Sequence, residues 1–167
     1  HKDKSKKMIF KKIDALTFVS KTKITFDLIL IKQTIHLLQI TQIIKLLLAC
    51  KNKLNPGGKI IILSLDPNNN EIPAFSLMDK KLKNSLKRDI KIFNLIVKTF
   101  NNIIVKKFKF NVKILRKEYV KMIKKRYIST LLNFNDKQIL GGINEINLNY
   151  KKELKFKDRL ICLILNK

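Results

Sequence analysis

The side chains best placed for chemistry follow a run of apolar residues in the first third of the sequence. Residues 24–31 (ITFDLILI) have the composition of a buried strand, and Ile31, Lys32, Gln33 and His36 come at or just after its end. In open α/β sheets, ligands bind in the crevice outside the carboxyl ends of the strands. Because an imidazole titrates near neutral pH, His36 is a candidate general base or pocket-lining residue. Packing at the start of an apolar helix is the alternative role for this histidine.

The two cysteines, Cys50 and Cys162, lie far apart in the sequence and each has apolar neighbours. The sequence contains neither a Cys-x-x-Cys pair nor a His/Cys spacing typical of metal ligands, so we predict no metal site and no disulfide scaffold. Buried thiols in a reducing compartment are the favoured interpretation. We therefore expect an intracellular protein, either of the cytoplasm or of an organelle.

The chain is strongly basic, with 37 Lys and Arg against 12 Asp and Glu and a net charge of +25. Such a charge favours binding to RNA, because a basic surface releases counterions from phosphates. Only four of the 37 basic residues are arginine, however, and phosphate recognition favours the bidentate guanidinium. Lys, Asn and Ile share A/T-rich codons, so codon bias is the favoured explanation for the charge and an RNA partner is the alternative.

No apolar run in the sequence approaches the ~20 uncharged residues that a membrane span needs. Lys32 and Lys45 interrupt the most hydrophobic stretch. The sequence begins with His1 rather than Met, and residues 1–7 lack the apolar centre of a signal peptide. We expect no membrane span and a chain that starts inside a longer gene product.

The apolar patterning predicts one α/β domain that covers residues 1–167. Runs of β-branched residues and alternating patterns predict the strands, and spacings of three and four predict the helices. The predicted strands are 8–13, 24–31, 59–65, 103–115 and 156–165. The predicted helices are 40–53, 75–101 with a break near 84–89, 118–134, and 136–150 with Asn135 or Asp136 as its cap.

The middle of the sequence has the order strand, helix, turn, strand. Helix 40–53 is followed by Asn55-Pro56-Gly57-Gly58, which ends a helix and opens a turn. Strands joined through a helix of this length are parallel neighbours. We therefore predict that strands 24–31 and 59–65 are adjacent, parallel and central, with the helix packed across them. Tyr119, Arg126 and Tyr127 are interpreted as solvated helix surface.

Three stretches resemble class I S-adenosylmethionine-dependent methyltransferases of the type 11 kind. Residues 12–18 (KIDALTF) resemble the segment after the family's third strand. Residues 26–30 (FDLIL) with 34–38 (TIHLL) resemble its fourth strand and the loop that follows. Residues 54–62 (LNPGGKIII) resemble the L-x-P-G-G turn into its fifth strand. A weaker similarity covers the late helices and residues 156–160 (FKDRL), which resemble the family's antiparallel seventh strand.

The resemblance implies an α/β fold with a Rossmann-like, mostly parallel sheet, flanking helices and a last antiparallel strand. It implies S-adenosylmethionine as cofactor and a small molecule or a lipid as methyl acceptor. Asp14 and Ala15 would meet the adenine, and Ile31, Lys32 and Gln33 would lie under the methionine half, with His36 as the catalytic candidate. The family's Gly-x-Gly loop has no counterpart among the four glycines, so the chain resembles a carboxy-terminal portion that is incomplete at its amino-terminal side.

Two functions of different classes follow from the sequence. The first is methyl transfer, which depends more on positioning than on acid–base power. The second is association with RNA by a basic protein with a degenerate methyltransferase fold. Residues 106–110 (KKFKF) interleave lysine with phenylalanine and favour the second function, although the same pattern also fits the two faces of a strand.

Overall fold

A computed structural model describes residues 9–167 of the protein. These residues form an α/β fold of four strands and five α-helices, with one-turn 3-10 helices at Ile35–Leu37 and Ser129–Leu131. The elements are α1 (Ala15–Lys21), β1 (Phe26–Lys32), α2 (Ile40–Asn52), β2 (Leu54–Leu65), α3 (Ser76–Thr99), β3 (Ile104–Leu115), α4 (Arg116–Lys124), α5 (Asp136–Asn149) and β4 (Glu153–Asn166).

The four strands form one mixed sheet in the order β1-β2-β4-β3. β1 and β2 are adjacent and parallel, as predicted, and β4 is antiparallel to both of its neighbours. β1, β2 and β3 therefore run in one direction, and the last strand is antiparallel, as expected. The sheet is mixed and not strictly parallel, because only one of the three pairings is parallel. β4 enters the sheet between β2 and β3, where its consecutive residues Ile161, Cys162 and Leu163 are all buried. β1 consequently lies at an edge of the described sheet and not at its centre.

One face of the sheet is covered by α2 and α3. Ile60 and Ile62 of β2 alternate with more exposed residues and pack against both helices. Neighbouring β4 contributes Leu163 and Leu165, which lie opposite Ile62 and Ile60. The helices contribute apolar residues at spacings of one to four: Ile43, Leu46, Leu47 and Cys50 from α2, and Ile92, Phe93 and Ile96 from α3. The predicted packing of helix 40–53, which is α2, across the two parallel strands is confirmed.

A second apolar core lies between the start of α3, the late helices α4 and α5, the carboxyl end of β3 and the start of β4. The rings of Phe75 and Phe134 lie 5.8 Å apart within it. α3 reaches both cores because its 24 residues are continuous. The predicted break near 84–89 is wrong, since Leu82, Leu86 and Asp89 continue one buried face through that region.

The Asn55-Pro56-Gly57-Gly58 segment is a bulge inside β2 and not a separate turn. Phe26 of β1 pairs with Leu54 and Leu28 pairs with Lys59, so a single residue of β1 faces this whole segment. Gly57 has φ +76°, and a Cβ at Gly58 would lie 2.9 Å and 3.0 Å from two backbone oxygens. Both glycines are therefore required by the backbone of the bulge.

Two predicted elements differ from the structure. Residues 9–13 form no strand, because the described sheet offers them no neighbour, and Ile9 and Phe10 are 73% and 86% exposed; Met8 lies outside the described residues. The helix predicted at 118–134 ends at Lys124, since Arg126 has φ +50°. The chain then folds back, and the Tyr127 hydroxyl lies 2.8 Å from that of Tyr119.

Within residues 9–167, no helix combines the length and the apolar character needed to cross a membrane.

The adjacent glycines of α5 give a matched test of its packing. A Cβ at Gly142 would lie 2.5 Å from the Phe75 ring, whereas a Cβ at Gly141 would meet nothing within 4 Å. We expect Gly142→Ala to lower the free energy of unfolding by about 1–3 kcal/mol through overpacking. Gly141→Ala should raise it by about 0.5–1 kcal/mol through helix propensity. Urea denaturation measures both, and equal effects of the two substitutions would contradict the described packing of α5 on Phe75.

Candidate functional site

A cavity of about 140 Å³ lies at the carboxyl ends of the parallel strands β1 and β2. Gln33 follows β1 and Leu65 ends β2, and both residues line the cavity. Its other walls come from the 3-10 turn that carries His36, from the middle of α3, and from the turn after α4. Two of the sequence-predicted site residues, Gln33 and His36, are therefore brought together at the expected edge of the sheet.

His36 is held in place by its neighbour and by a serine from a distant part of the chain. Ile35 is buried in the core and anchors the 3-10 turn. His36 Nε2 lies 2.9 Å from Ser129 Oγ. Burial and, to a smaller extent, the nearby Arg88 cation lower the pKa of His36 below its ordinary value. The imidazole is consequently neutral at pH 7, the form in which it can accept a proton.

Asp89 of α3 is the one acidic side chain on the cavity wall within the described residues. It is only 7% exposed, and its Oδ1 has no hydrogen-bond partner among residues 9–167. Burial raises its pKa to about 6, against the opposing effect of Arg88. Sequence analysis did not single out Asp89, although a carboxylate between Leu86 and Phe93 on the apolar face of a helix was an available signal.

The end of β1 has an unusual backbone at Gln33. This residue adopts φ +51°, a left-handed conformation that is uncommon outside glycine. Its backbone N–H donates to Leu63 O over 2.7 Å, which ties the turn to β2. Ile31 packs against the core and Lys32 is exposed. Among the three residues predicted beneath the methionine half, only Gln33 contributes to the cavity.

Asp14 and Ala15 lie at the start of α1, away from the residues that line this cavity. Asp14 is the N-cap of the helix, and its Oδ1 accepts a hydrogen bond of 2.8 Å from the Thr17 backbone. That bond is the main cause of the lowered pKa of Asp14. Ala15 lines a separate surface depression with Phe18 and Ile24. The structure therefore does not bring the predicted adenine contacts together with His36.

The turn after α4 supplies the cavity wall that the sequence interpretation missed. Tyr127, Ile128, Ser129 and Thr130 all line the cavity. Tyr119 is buried and Tyr127 and Arg126 are half-buried, so their interpretation as solvated helix surface is wrong. Burial raises the pKa of Tyr127 to about 12. The reversal of the chain at Arg126, which periodicity cannot reveal, turns these side chains inward.

The cysteines are both buried and free, and burial raises the pKa of Cys50 to about 11. Within residues 9–167, no group of three or more His, Cys, Asp and Glu side chains lies close enough together to hold a metal ion.

No protein-family model matches the chain. A comparison with curated proteins also finds no match. The arrangement of the site is therefore the basis for a functional proposal.

The burial of Asp89 predicts a pH-dependent cost in stability. Its folded pKa of about 6 exceeds the ordinary 3.8, so the native state loses stability as pH rises through that window. We expect Asp89→Asn to raise the free energy of unfolding at pH 7.5 by about 1–3 kcal/mol, with a smaller gain at pH 4.5. Urea denaturation at the two pH values measures the difference.

The control for this prediction is Asp79→Asn on the same helix. Asp79 is exposed and its Oδ2 lies 2.7 Å from Lys83 Nζ. Its replacement should cost about 0.5 kcal/mol or less. A gain at Asp89 that is independent of pH, or a loss at pH 7.5, would contradict a buried and unpaired carboxylate.

Proposed function

We propose that this chain is the carboxy-terminal portion of an S-adenosylmethionine-dependent methyltransferase domain, acting on a small molecule or a lipid. The observation that carries the proposal is the cavity at the carboxyl ends of β1 and β2, with Gln33 and His36 in its wall. Ligands of open α/β sheets bind at that edge. These are two of the residues that the resemblance assigns to the cofactor side of the site.

The strand arrangement supports the same proposal. The resemblance equates β1 and β2 with the family's fourth and fifth strands, and β4 with its antiparallel seventh strand. β1 and β2 are parallel neighbours, and β4 is antiparallel beside β2. This arrangement agrees with the correspondence, although an α/β sheet of mixed direction is not specific to one activity.

The open edge of β1 supports a site that another segment completes. Leu28 and Leu30 of this strand are each more than half exposed, and the described residues pair with β1 on one side only. An apolar edge strand of this kind favours pairing with a further strand. In the proposed function, a segment that carries the family's glycine loop lies beside β1 and completes the cofactor pocket.

The composition of the wall supports part of such a cofactor, because it combines apolar side chains with the Asp89 carboxyl group and the turned backbone at Gln33. The cofactor, when bound, supplies an electrophilic methyl group. Leu65, Leu82 and the other apolar residues exclude water from the site. The neutral His36 is placed to accept the proton that the methyl acceptor releases, and Ser129 orients its ring.

Calorimetry with S-adenosylmethionine tests the proposal. The protein produced from the complete reading frame should bind with micromolar affinity, roughly −8 kcal/mol. Residues 1–167 alone should show no saturable binding, because one wall cannot fix the ligand. His36→Ala should slow methyl transfer from the labelled cofactor more than it weakens binding. Absence of binding by the complete protein would overturn the proposal, and micromolar binding by 1–167 would overturn the need for the glycine loop.

The N-cap role of Asp14 requires a matched pair of variants in the same assay. Asp14→Ala removes both the cap and the adenine acceptor, whereas Asp14→Ser keeps a capping oxygen. If Asp14 contacts the adenine, both variants should weaken binding by about 1–3 kcal/mol. Only the alanine variant should also destabilise α1. Weaker binding in Asp14→Ala alone would assign the residue to capping.

RNA association is a second candidate, favoured by the surface of β3. Phe108 and Phe110 are 42% and 52% exposed and alternate onto the same face of this strand with Lys106. Exposed rings beside lysines suit the stacking of unpaired bases. Against this candidate, every α-helix and strand of the described chain carries at least one exposed lysine, so the positive charge is dispersed.

Filter binding with generic single-stranded RNA separates the two candidates. Because the lysines are dispersed, we expect weak binding that fades by ~200 mM salt. Replacement of both Phe108 and Phe110 by alanine should then change it little, as should Leu148→Ala on the exposed side of α5. Binding that persists at ~200 mM salt and loses about 1–3 kcal/mol per removed ring would favour RNA association instead.

A further inference from the structure

The wall of the cavity has a charge character opposite to that of the whole protein. The chain carries a net charge of +25, yet no Lys or Arg among the described residues lines the cavity. Asp89 is the one charged residue of the described wall. The Arg88 guanidinium donates to Leu38 O over 2.7 Å and lies outside the wall, although its charge acts on both His36 and Asp89. The wall therefore carries a single negative charge within a basic molecule.

Asp89 also has an unused acceptor. Its side chain is more than nine-tenths buried, and Oδ1 finds no donor among residues 9–167. Buried polar atoms in folded proteins are nearly always hydrogen-bonded, because an unpaired one carries the full cost of its desolvation. Oδ1 itself is enclosed, but Asp89 lines the cavity, so its carboxylate is suited to receive a donor from a ligand that enters there.

The remaining wall fixes the size and the polarity of that ligand. Leu65, Leu82, Leu86 and Ile128 make much of the surface apolar. Ser129 adds a polar group to this apolar wall. Its Oγ offers a lone pair to a ligand when its proton is shared with His36 Nε2. The volume of about 140 Å³ is below the roughly 300 Å³ at which sites for drug-sized ligands begin, so the ligand must be small. A short alkyl chain with one donor group matches the lining.

We propose that this cavity binds a small organic ammonium ion, with its N–H groups donating to the Asp89 carboxylate and to Ser129 Oγ and its alkyl chain against the leucines. Such a ligand complements the buried carboxylate in charge and supplies a donor to it. An alcohol of the same length supplies a donor without the charge, and a carboxylate is repelled by Asp89. The ammonium ion would occupy the space that the proposed function gives to part of the cofactor, so the two ligands would compete, but the inference depends on the cavity alone and not on methyl transfer.

The test is a titration of ¹⁵N-labelled residues 1–167 with n-butylammonium chloride at pH 7.5, followed by NMR. We expect saturable shifts of the backbone signals of Gln33, His36, Ser129 and Thr130. 1-Butanol should bind about tenfold or more weakly than the ammonium ion, because it lacks the positive charge that the Asp89 carboxylate attracts; a tenfold difference corresponds to about 1.4 kcal/mol. Sodium butyrate should give no saturable shift. Equal binding of the alcohol, or no saturation by n-butylammonium, would overturn the proposal.

Three variants locate the binding. Asp89→Asn keeps the shape of the side chain and should weaken n-butylammonium by about tenfold to a hundredfold. Asp79→Asn removes an exposed carboxylate from the same helix and should leave the affinity unchanged. Ser85→Leu fills the cavity from α3, where Ser85 Oγ bonds only to Lys81 O of its own helix, and should abolish binding. Wild-type affinity for n-butylammonium in either Asp89→Asn or Ser85→Leu would overturn the proposal. If Asp89→Asn does not fold, Ser85→Leu decides the test.

Discussion

The antiparallel pairing of β2 with β4 is the contact on which the other elements depend. Ile60 lies opposite Leu165 and Ile62 opposite Leu163, and all four side chains are buried beneath α2 and α3. This pairing leaves one side of β2 for the parallel strand β1 and one side of β4 for β3. The parallel pairing of β1 with β2 then brings their carboxyl ends to the same edge, where the cavity lies. Loss of apolar volume at these four positions would affect the core and the site together.

The cavity is assembled from segments that are far apart in the sequence. His36 and Ser129 are separated by 93 positions, yet their side chains are 2.9 Å apart. Asp89 reaches the same space from the middle of α3, the helix that joins the two cores. The packing of α3 removes this carboxylate from water without supplying a donor. The pKa of Asp89 is therefore raised, and its Oδ1 has no hydrogen-bond partner among the described residues.

The local elements were predictable from the sequence, whereas their long-range order was not. The apolar run of β1 and the helical spacing of α2 depend on near neighbours in the chain, and both elements form where expected. The place of β4 between β2 and β3 depends on contacts across the whole chain, and the central position expected for β1 was wrong. Gln33 and His36 were found because they follow a strand. Asp89, Tyr127 and Ser129 were missed because a reversal at Arg126 and the packing of α3 bring them to the cavity.

The central position of β4 also determines when the sheet can form during synthesis. β4 follows β2 and β3 in the chain, yet it lies between them. At about 5–20 residues per second on the ribosome, β4 is therefore synthesised several seconds after β2, the strand with which it pairs. During that time α2 can shield the apolar face of β2, and β1 can pair with one of its edges. The other edge of β2 and the edges of β3 have no strand to pair with and resemble the edges that drive aggregation. The net charge of +25 makes copies of the chain repel one another, which opposes such edge-to-edge pairing while β4 is absent.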